Sequence, residues 1–214
     1  MSKDERSRHC RKSARERRND GSQARSTCWI IAGPNGAGKT TFALEYLPNV
    51  VGCRQFVNAD LIAAGMAPLA PETERVAAGR LFLKEIERHV SARRDFGFET
   101  ALAGRGYIRV IHRLRKAGWR VELIYLALPD PEAARQRVAE RVAHGGHNIP
   151  EADIQRRFYR GLRNLFDVYI GETDRSRCFS NEGELPELVF VQEEGRRDVY
   201  RQDVLSFLLG MVGK

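Results

Sequence analysis

An α/β fold, with a mainly parallel sheet and helices on both faces, is predicted by three features of the sequence. Short apolar runs alternate with helix-periodic segments along most of the 214 residues, as in parallel sheets joined by crossover helices. One run, Cys28 to Ala32, leads directly into Gly33-Pro34-Asn35-Gly36-Ala37-Gly38-Lys39-Thr40, which fits G-x-x-x-x-G-K-[ST] at every position. The length and the 42% hydrophobic content suit one domain with a substantial core. Together they predict a P-loop NTPase fold with a small helical lid.

The elements follow in order. Cys28 to Ala32 reads as a buried strand and Thr41 to Glu45 as the helix after the loop. "CRQFVNAD" is expected to end a second strand at Asn58 to Asp60. Pro71 to Arg94 reads as one long helix, with Ala78, Phe82, Ile86 and Val90 marking its buried face. "FGFET" is a third strand, with Asp95 expected to begin it. Tyr107 to Lys116 is a helix stopped near Gly118. Trp119 to Leu128 is the clearest strand. Pro131 to Ala143 is a helix, "HGGHNIP" a loop, and Glu151 to about Tyr169 another long helix. "RCFSN" and "LVFVQ" read as short late strands, and Arg201 to Met211 as an apolar closing helix.

The glycine-rich loop has a specific chemistry. Backbone N–H groups wrap phosphate only if the chain approaches closely and turns through positive φ, which glycine permits. Gly33 through Thr41 would form the nucleotide site, with Lys39 on the outer phosphates and the Thr40 hydroxyl on Mg²⁺. The helix that follows adds the positive end of its dipole.

Composition narrows the setting. Residues 1–27 hold nine Lys/Arg and four Asp/Glu, a net +5 of the chain's +8, with almost no large apolar side chains. Residues 1–26 are therefore expected to be a disordered basic tail, and residues 27–214 the P-loop domain, with its lid at about 137–160. No docking motif for nucleic acid accompanies the charge, so nucleic acid is not expected as a partner. No apolar run approaches a membrane span and the N-terminus lacks an apolar signal core. Cys10, Cys28, Cys53 and Cys178 are spaced for neither zinc nor a disulfide framework, which suits a reducing cytoplasm.

In open parallel sheets, ligands lie beyond the carboxyl ends of the strands, so polar residues there become site candidates. Asp60 is placed to orient an acceptor hydroxyl and take its proton; as a bland alternative it would N-cap the helix that "LIAAG" begins. Glu99, with Thr100 beside it, is placed to hold acceptor hydroxyls or to serve Mg²⁺ through water. "DFG" at Asp95-Phe96-Gly97 lacks the companion motifs of a protein kinase.

A γ-phosphoryl group in flight also needs positive charge on its far side. Ala134, Val138 and Val142 form one apolar stripe, and Arg141 lies about 60° round the helix from Val138. Ile154, Phe158, Leu162 and Leu165 form another, flanked by Arg157. Arg141 and Arg157 are thus the arginines expected to turn inward, whereas Arg160 and Arg163 read as a solvated face. Gly145-Gly146 is expected to give the connection a lid's flexibility. His144 and His147 would be metal ligands only with a third partner.

The ordered set "GPNGAGKTTFA", "VNADLIAAG", "FGFETALAG", "LALPDPEAARQRVAERVAHGGHNIP" and "QRRFYRGLRNL", over roughly residues 27–192, resembles the zeta-toxin family of P-loop kinases. The resemblance implies ATP- or GTP-dependent, Mg²⁺-assisted phosphorylation of a UDP-amino sugar such as UDP-N-acetylglucosamine. It implies Lys39 and Thr40 on nucleotide and metal, Asp60 as base, lid arginines on the γ-phosphate, and Glu99 and Thr100 at the sugar. It admits a toxin-like role with a separate antitoxin protein as partner. The compact "HGGHNIP" turn and the arginine spacing depart from the best-known toxins and leave the acceptor open.

Rival classes remain on the residues alone. An ABC-type ATPase shares "GPNGAGKTT" but needs an L-S-G-G-Q-like segment and an apolar strand ending in Asp-Glu, both missing here. A nucleotide-gated nucleic-acid-binding protein would use the tail. A kinase of a nucleoside, an RNA end or a drug keeps the chemistry and changes the acceptor.

Overall fold

A computed structural model describes residues 25–146 and 149–214. Most of the basic tail and His147 therefore lie outside the described residues. Among the described residues, seven strands form one sheet in the order β2-β3-β1-β4-β5-β6-β7: β1 Thr27–Ala32, β2 Phe56–Val57, β3 Phe96–Thr100, β4 Arg120–Ala127, β5 Arg175–Ser180, β6 Glu187–Glu193 and β7 Arg196–Val199. The first five are mutually parallel, and β6 and β7 each run antiparallel to the strand before. All of β1 beyond Thr27 and all of β4 beyond Arg120 are buried. Near-continuous apolar runs like these belong to strands covered on both faces.

The helices are α1 Lys39–Tyr46, α2 Ala59–Met66, α3 Arg75–Ser91, α4 Tyr107–Lys116, α5 Pro131–Ala143, α6 Glu151–Asn164 and α7 Gln202–Gly210. Short irregular turns extend three of them. A π-helical turn, Leu47–Val51, follows α1, and a 3₁₀ turn, Pro71–Glu74, precedes α3. The single helix expected from Pro71 to Arg94 is thus a 3₁₀ entry plus an α-helix that stops at Ser91. Beyond α6 the chain continues through a π turn, Leu165–Tyr169, to a last helical turn, Ile170–Glu172.

Three further features differ from the sequence reading. The second strand ends at Val57, and α2 follows at once, capped by Asn58. Asp95 precedes β3 and accepts a hydrogen bond on Oδ1 from Thr27 N, at 2.8 Å. The hairpin turn between β6 and β7 sits at Glu194 and Gly195, both at positive φ, the conformation tight hairpins require. Its product, β7, is a charged edge strand that the sequence reading did not contain.

The Gly145-Gly146 pair closes α5. Gly145, at φ 84°, donates to Val142 O, and Gly146 donates to Arg141 O, each at 2.9 Å. That is the paired bonding of a Schellman cap. A Cβ on Gly146 would lie 2.8 Å from Arg141 O.

Strand order positions the site. Central β1 has β3 on one side and β4 on the other, with Ile31 opposite Glu99, and Ala32 opposite both Thr100 and Tyr125. The last turn of β3 therefore stands beside the entrance to the phosphate loop.

Candidate active site

The loop from Gly33 to Gly38 is built for close backbone approach. Gly33 takes φ 147°, and a Cβ there would meet Leu126 O at 2.4 Å. At Gly36 a Cβ would meet Ala134 O at 2.7 Å, so α5 lies directly over the loop's tip. Asn181, just past β5, braces the loop: its Nδ2 donates to Ala37 O at 2.9 Å and its backbone N to Ala127 O at 2.9 Å. Pro34 and Asn35 are buried and Thr41 is exposed. Among the described residues the Asn35 Oδ1 is buried without a hydrogen-bond partner.

Lys39 is 7% exposed. Its Nζ donates to Pro34 O at 2.9 Å and lies 3.5 Å from Glu99 Oε1. Burial pulls its pKa below the ordinary lysine value; Glu99 and Asp60 oppose that pull, and Arg141 adds to it. A lysine ammonium held in a folded-back loop is placed to exchange a carbonyl for a phosphate oxygen. Lys39→Ala is expected to weaken ATP binding at least about tenfold, the scale of one charge-assisted hydrogen bond. Calorimetric titration reads this directly, and unchanged affinity would remove Lys39 from the phosphate site.

Thr40 Oγ1 donates to Glu99 Oε2 at 2.6 Å. A hydroxyl and a carboxylate are hard oxygen donors, the set Mg²⁺ prefers alongside phosphate oxygens and water. Among the described residues no cluster of three or more His, Cys, Asp or Glu forms a metal cage. His144 is exposed, with Nδ1 2.7 Å from Glu140 O.

Asp60 neither ends a strand nor caps a helix. It occupies the first turn of α2, exposed, with its N–H bound by the capping Asn58 side chain. The cap belongs to Asn58 because that residue leaves β2 with extended backbone while its carbonyl oxygen meets the free helix amides. Thr100 Oγ1 accepts from Leu102 N at 3.1 Å. Burial raises the Tyr107 pKa, and the Asp60 charge adds to that rise. The Tyr107 ring rests on Phe98, 5.1 Å between centroids. Asp60, Thr100 and Tyr107 thus border one surface beside Lys39 and Glu99.

Helices α5 and α6 carry the arginines singled out in the sequence. Arg141 is exposed on α5, and its charge reaches Lys39. Arg157 is half-buried on α6, 3.8 Å from Asp153 Oδ2, while Arg156 takes the closer contact to Asp153, 2.6 Å. Arg160 and Arg163 are exposed. Arg137, absent from the sequence reading, lies nearer the cradle than either inward candidate is shown to be: its Cβ would be 3.2 Å from a Cβ on Gly36, and its Nη2 donates to Glu182 O. Helix α6 is tied to the segment after β3. A Cβ on Gly161 would meet Ala101 O at 2.5 Å, Asn164 Nδ2 donates to Leu102 O, and the Tyr169 hydroxyl to Gly104 O.

Sequence reasoning missed Asn58, Arg137, Tyr107 and Asn181. Asn58 carried a readable signal, an Asn just ahead of an apolar helical run. Asn181 and Arg137 carried none, because only the sheet order brings them to the loop, and Tyr107 carried none, because it enters through its packing on Phe98.

A protein-family model described as an AAA domain matches residues 28–160. An uncharacterized protein of Haemophilus influenzae (strain ATCC 51907 / DSM 11121 / KW20 / Rd) is 29% identical over 145 residues, spanning 63% of this chain and 99% of that protein. Among solved structures, the AvrRxo1-ORF1:-ORF2 complex with ATP superposes with a TM-score of 0.66 at 18% identity, covering 95% of this chain and 69% of that one. The PezAT chromosomal toxin-antitoxin system of Streptococcus pneumoniae superposes at 0.64 and 16% identity, covering 100% and 90%. At these identities the structures establish the α/β P-loop NTPase-like fold. Among the described residues no helix is long and apolar enough to cross a membrane.

Proposed function

The chain belongs to the AAA-domain family, and on that premise we propose that it is a phosphotransferase that passes the γ-phosphoryl group of ATP to a hydroxyl of a small acceptor. The observation that carries this reading is Asp60: an exposed carboxylate on the first turn of α2, close enough for its charge to act on Lys39. A P-loop ATPase of the ABC type would leave that carboxylate without work.

Lys39, the loop amides and the α1 N-terminus bind the outer phosphates. Thr40, with Glu99 behind it, would hold Mg²⁺, which supplies charge neutralisation at the phosphates. Asp60 accepts the acceptor's hydroxyl proton as that oxygen bonds to the γ-phosphorus and the bridge to the β-phosphate breaks. Arg141 and Arg157 contribute positive charge from the lid, and Thr100 and Glu99 offer hydrogen bonds to acceptor hydroxyls.

We take the acceptor to be a UDP-amino sugar, UDP-N-acetylglucosamine in the first instance. The support is the ordered motif set shared with zeta-toxin kinases and the fold shared with the PezAT system, which also supports a toxin-like role with a separate antitoxin partner. ATP is favoured over GTP because the AvrRxo1 neighbour is an ATP complex. The described cysteines, Cys28, Cys53 and Cys178, are buried free thiols, in keeping with a cytoplasmic setting.

The test is incubation with ATP, Mg²⁺ and a panel of UDP-sugars and nucleosides, reading ADP release and product mass. Acceptor-stimulated ADP release with phosphorylated UDP-N-acetylglucosamine is expected. Stimulation by another hydroxyl compound moves the acceptor and keeps the chemistry. ADP release indifferent to every acceptor overturns the transfer reading.

A further inference from the structure

We propose that Asn58 is a positioning residue that orients the Thr40 hydroxyl toward the metal while capping the helix that carries Asp60; the inference rests on the phosphotransferase reading for its functional meaning. The side chain is buried and all four of its hydrogen-bonding positions are in use. Oδ1 accepts from Asp60 N at 2.8 Å and Leu61 N at 3.1 Å. Nδ2 donates to Glu99 Oε2 at 2.7 Å and Thr40 Oγ1 at 3.2 Å. One planar amide therefore spans three strand ends' worth of chemistry: the phosphate loop, the exit of β3 and the start of α2.

Counting at Thr40 gives the consequence. A hydroxyl has one proton and two lone pairs. The proton goes to Glu99 Oε2 and one lone pair receives Asn58 Nδ2. A single lone pair is left, with its direction fixed by the other two bonds. Without Asn58 the hydroxyl keeps only its bond to Glu99 and turns about it, and Glu99 loses a donor that fixes its own rotamer. A hard cation that takes few protein oxygens depends on that fixed direction.

The cap and the orienting amide can be separated by substitution. Asn58→Ser keeps an oxygen for the two helix amides, since serine caps helices about as well as asparagine. It leaves nothing in the place of Nδ2. The readout is ADP affinity with Mg²⁺ divided by ADP affinity in EDTA, by calorimetry. That gain is expected to fall about tenfold in Asn58→Ser, the worth of a hydrogen bond to a charged group, while affinity in EDTA stays within about twofold and the Asp60 and Leu61 amides remain protected from exchange. Thr40→Ala should lose the gain as well, and Asn58→Ser added to Thr40→Ala should lose no more, because one residue acts through the other.

An unchanged Mg²⁺ gain in Asn58→Ser, both affinities falling together, or additive losses in the double variant would each overturn the proposal and leave Asn58 a cap alone. Should Asn58→Ser fail to fold, Asn58→Thr, another capping residue without the amide, is read in its place. The measurement uses ADP without any acceptor, so a missing acceptor, which would remove the transfer reading, does not disturb it.

Discussion

Replacing Glu122 with alanine is expected to destabilise the fold by about 3–5 kcal/mol, the scale for breaking a buried ion pair from one side. Glu122 lies on β4 with its side chain 6% exposed, and bridges two arginines: Arg177 Nη2 at 2.8 Å and Arg120 Nε at 2.8 Å. Arg177, 11% exposed, also contacts the Tyr46 hydroxyl and lies over the Tyr46 ring. Removing the carboxylate takes away a counter-charge that lies 2.8 Å from Nη2 of a guanidinium that stays buried. Against a typical domain stability of about 5–15 kcal/mol, that is a large fraction, and the denaturant midpoint at pH 7 reads it. Arg120 keeps Glu193, at 2.5 Å, so Glu122→Met with Arg177→Met should recover much of the loss. The pH dependence has a definite sign. Burial pushes the Glu122 pKa up, but the Arg177 and Arg120 guanidiniums outweigh it and hold the value below the ordinary carboxylate range. The folded-state value is thus depressed. Its stabilisation is complete above about pH 4.3, the ordinary glutamate value, and is lost as pH falls through the depressed one. The advantage of wild type over Glu122→Gln should shrink in acid; a constant gap down to pH 2 would show that the carboxylate's charge is not what holds the network.

The sequence carried the centre of this fold better than its edges. Cys28 to Ala32 is apolar throughout and Trp119 to Leu128 is apolar beyond Glu122, so they read as central parallel strands, and β1 and β4 pair in the structure. At the margins, "RRDV" has no apolar face, because an edge strand held by a turn at Glu194-Gly195 needs none. The helix Ala59–Met66 is eight residues long, too short for its period to stand out against the strand before it. The site shows the same division. The cradle glycines were legible because they stand in one contiguous motif, although the atoms that forbid a Cβ there, Leu126 O at Gly33 and Ala134 O at Gly36, belong to β4 and α5. Asn181 and Arg137 touch the loop only because β5 and α5 are laid beside it, a long-range consequence of strand order. Gly145-Gly146 was read for flexibility, and the structure adds that its left-handed glycine serves a cap.

Asp60→Asn is expected to lower transfer to a sugar-nucleotide hydroxyl by about a hundredfold or more, the usual scale for losing a positioned base. Asparagine keeps the size and most of the hydrogen-bonding capacity, and the cap on α2 is untouched because it engages the backbone N–H of residue 60 and not its side chain. The fold and the acceptor surface should therefore survive. Nucleotide affinity should hold or rise. The Asp60 charge acts on Lys39 from across the site, so its removal takes away one negative charge beside the place where phosphates bind. This combination, tighter or equal ATP binding with slow transfer, separates a base from a residue that merely shapes the pocket. A structural role would weaken both. A self-contained ATPase would show acceptor-independent ADP release that the substitution leaves alone. ADP release and product mass, measured for wild type and Asp60→Asn with and without UDP-N-acetylglucosamine, distinguish the three: wild-type turnover in the variant would sink the assignment of Asp60 as base, because no other exposed carboxylate on the first turn of α2 stands ready to replace it.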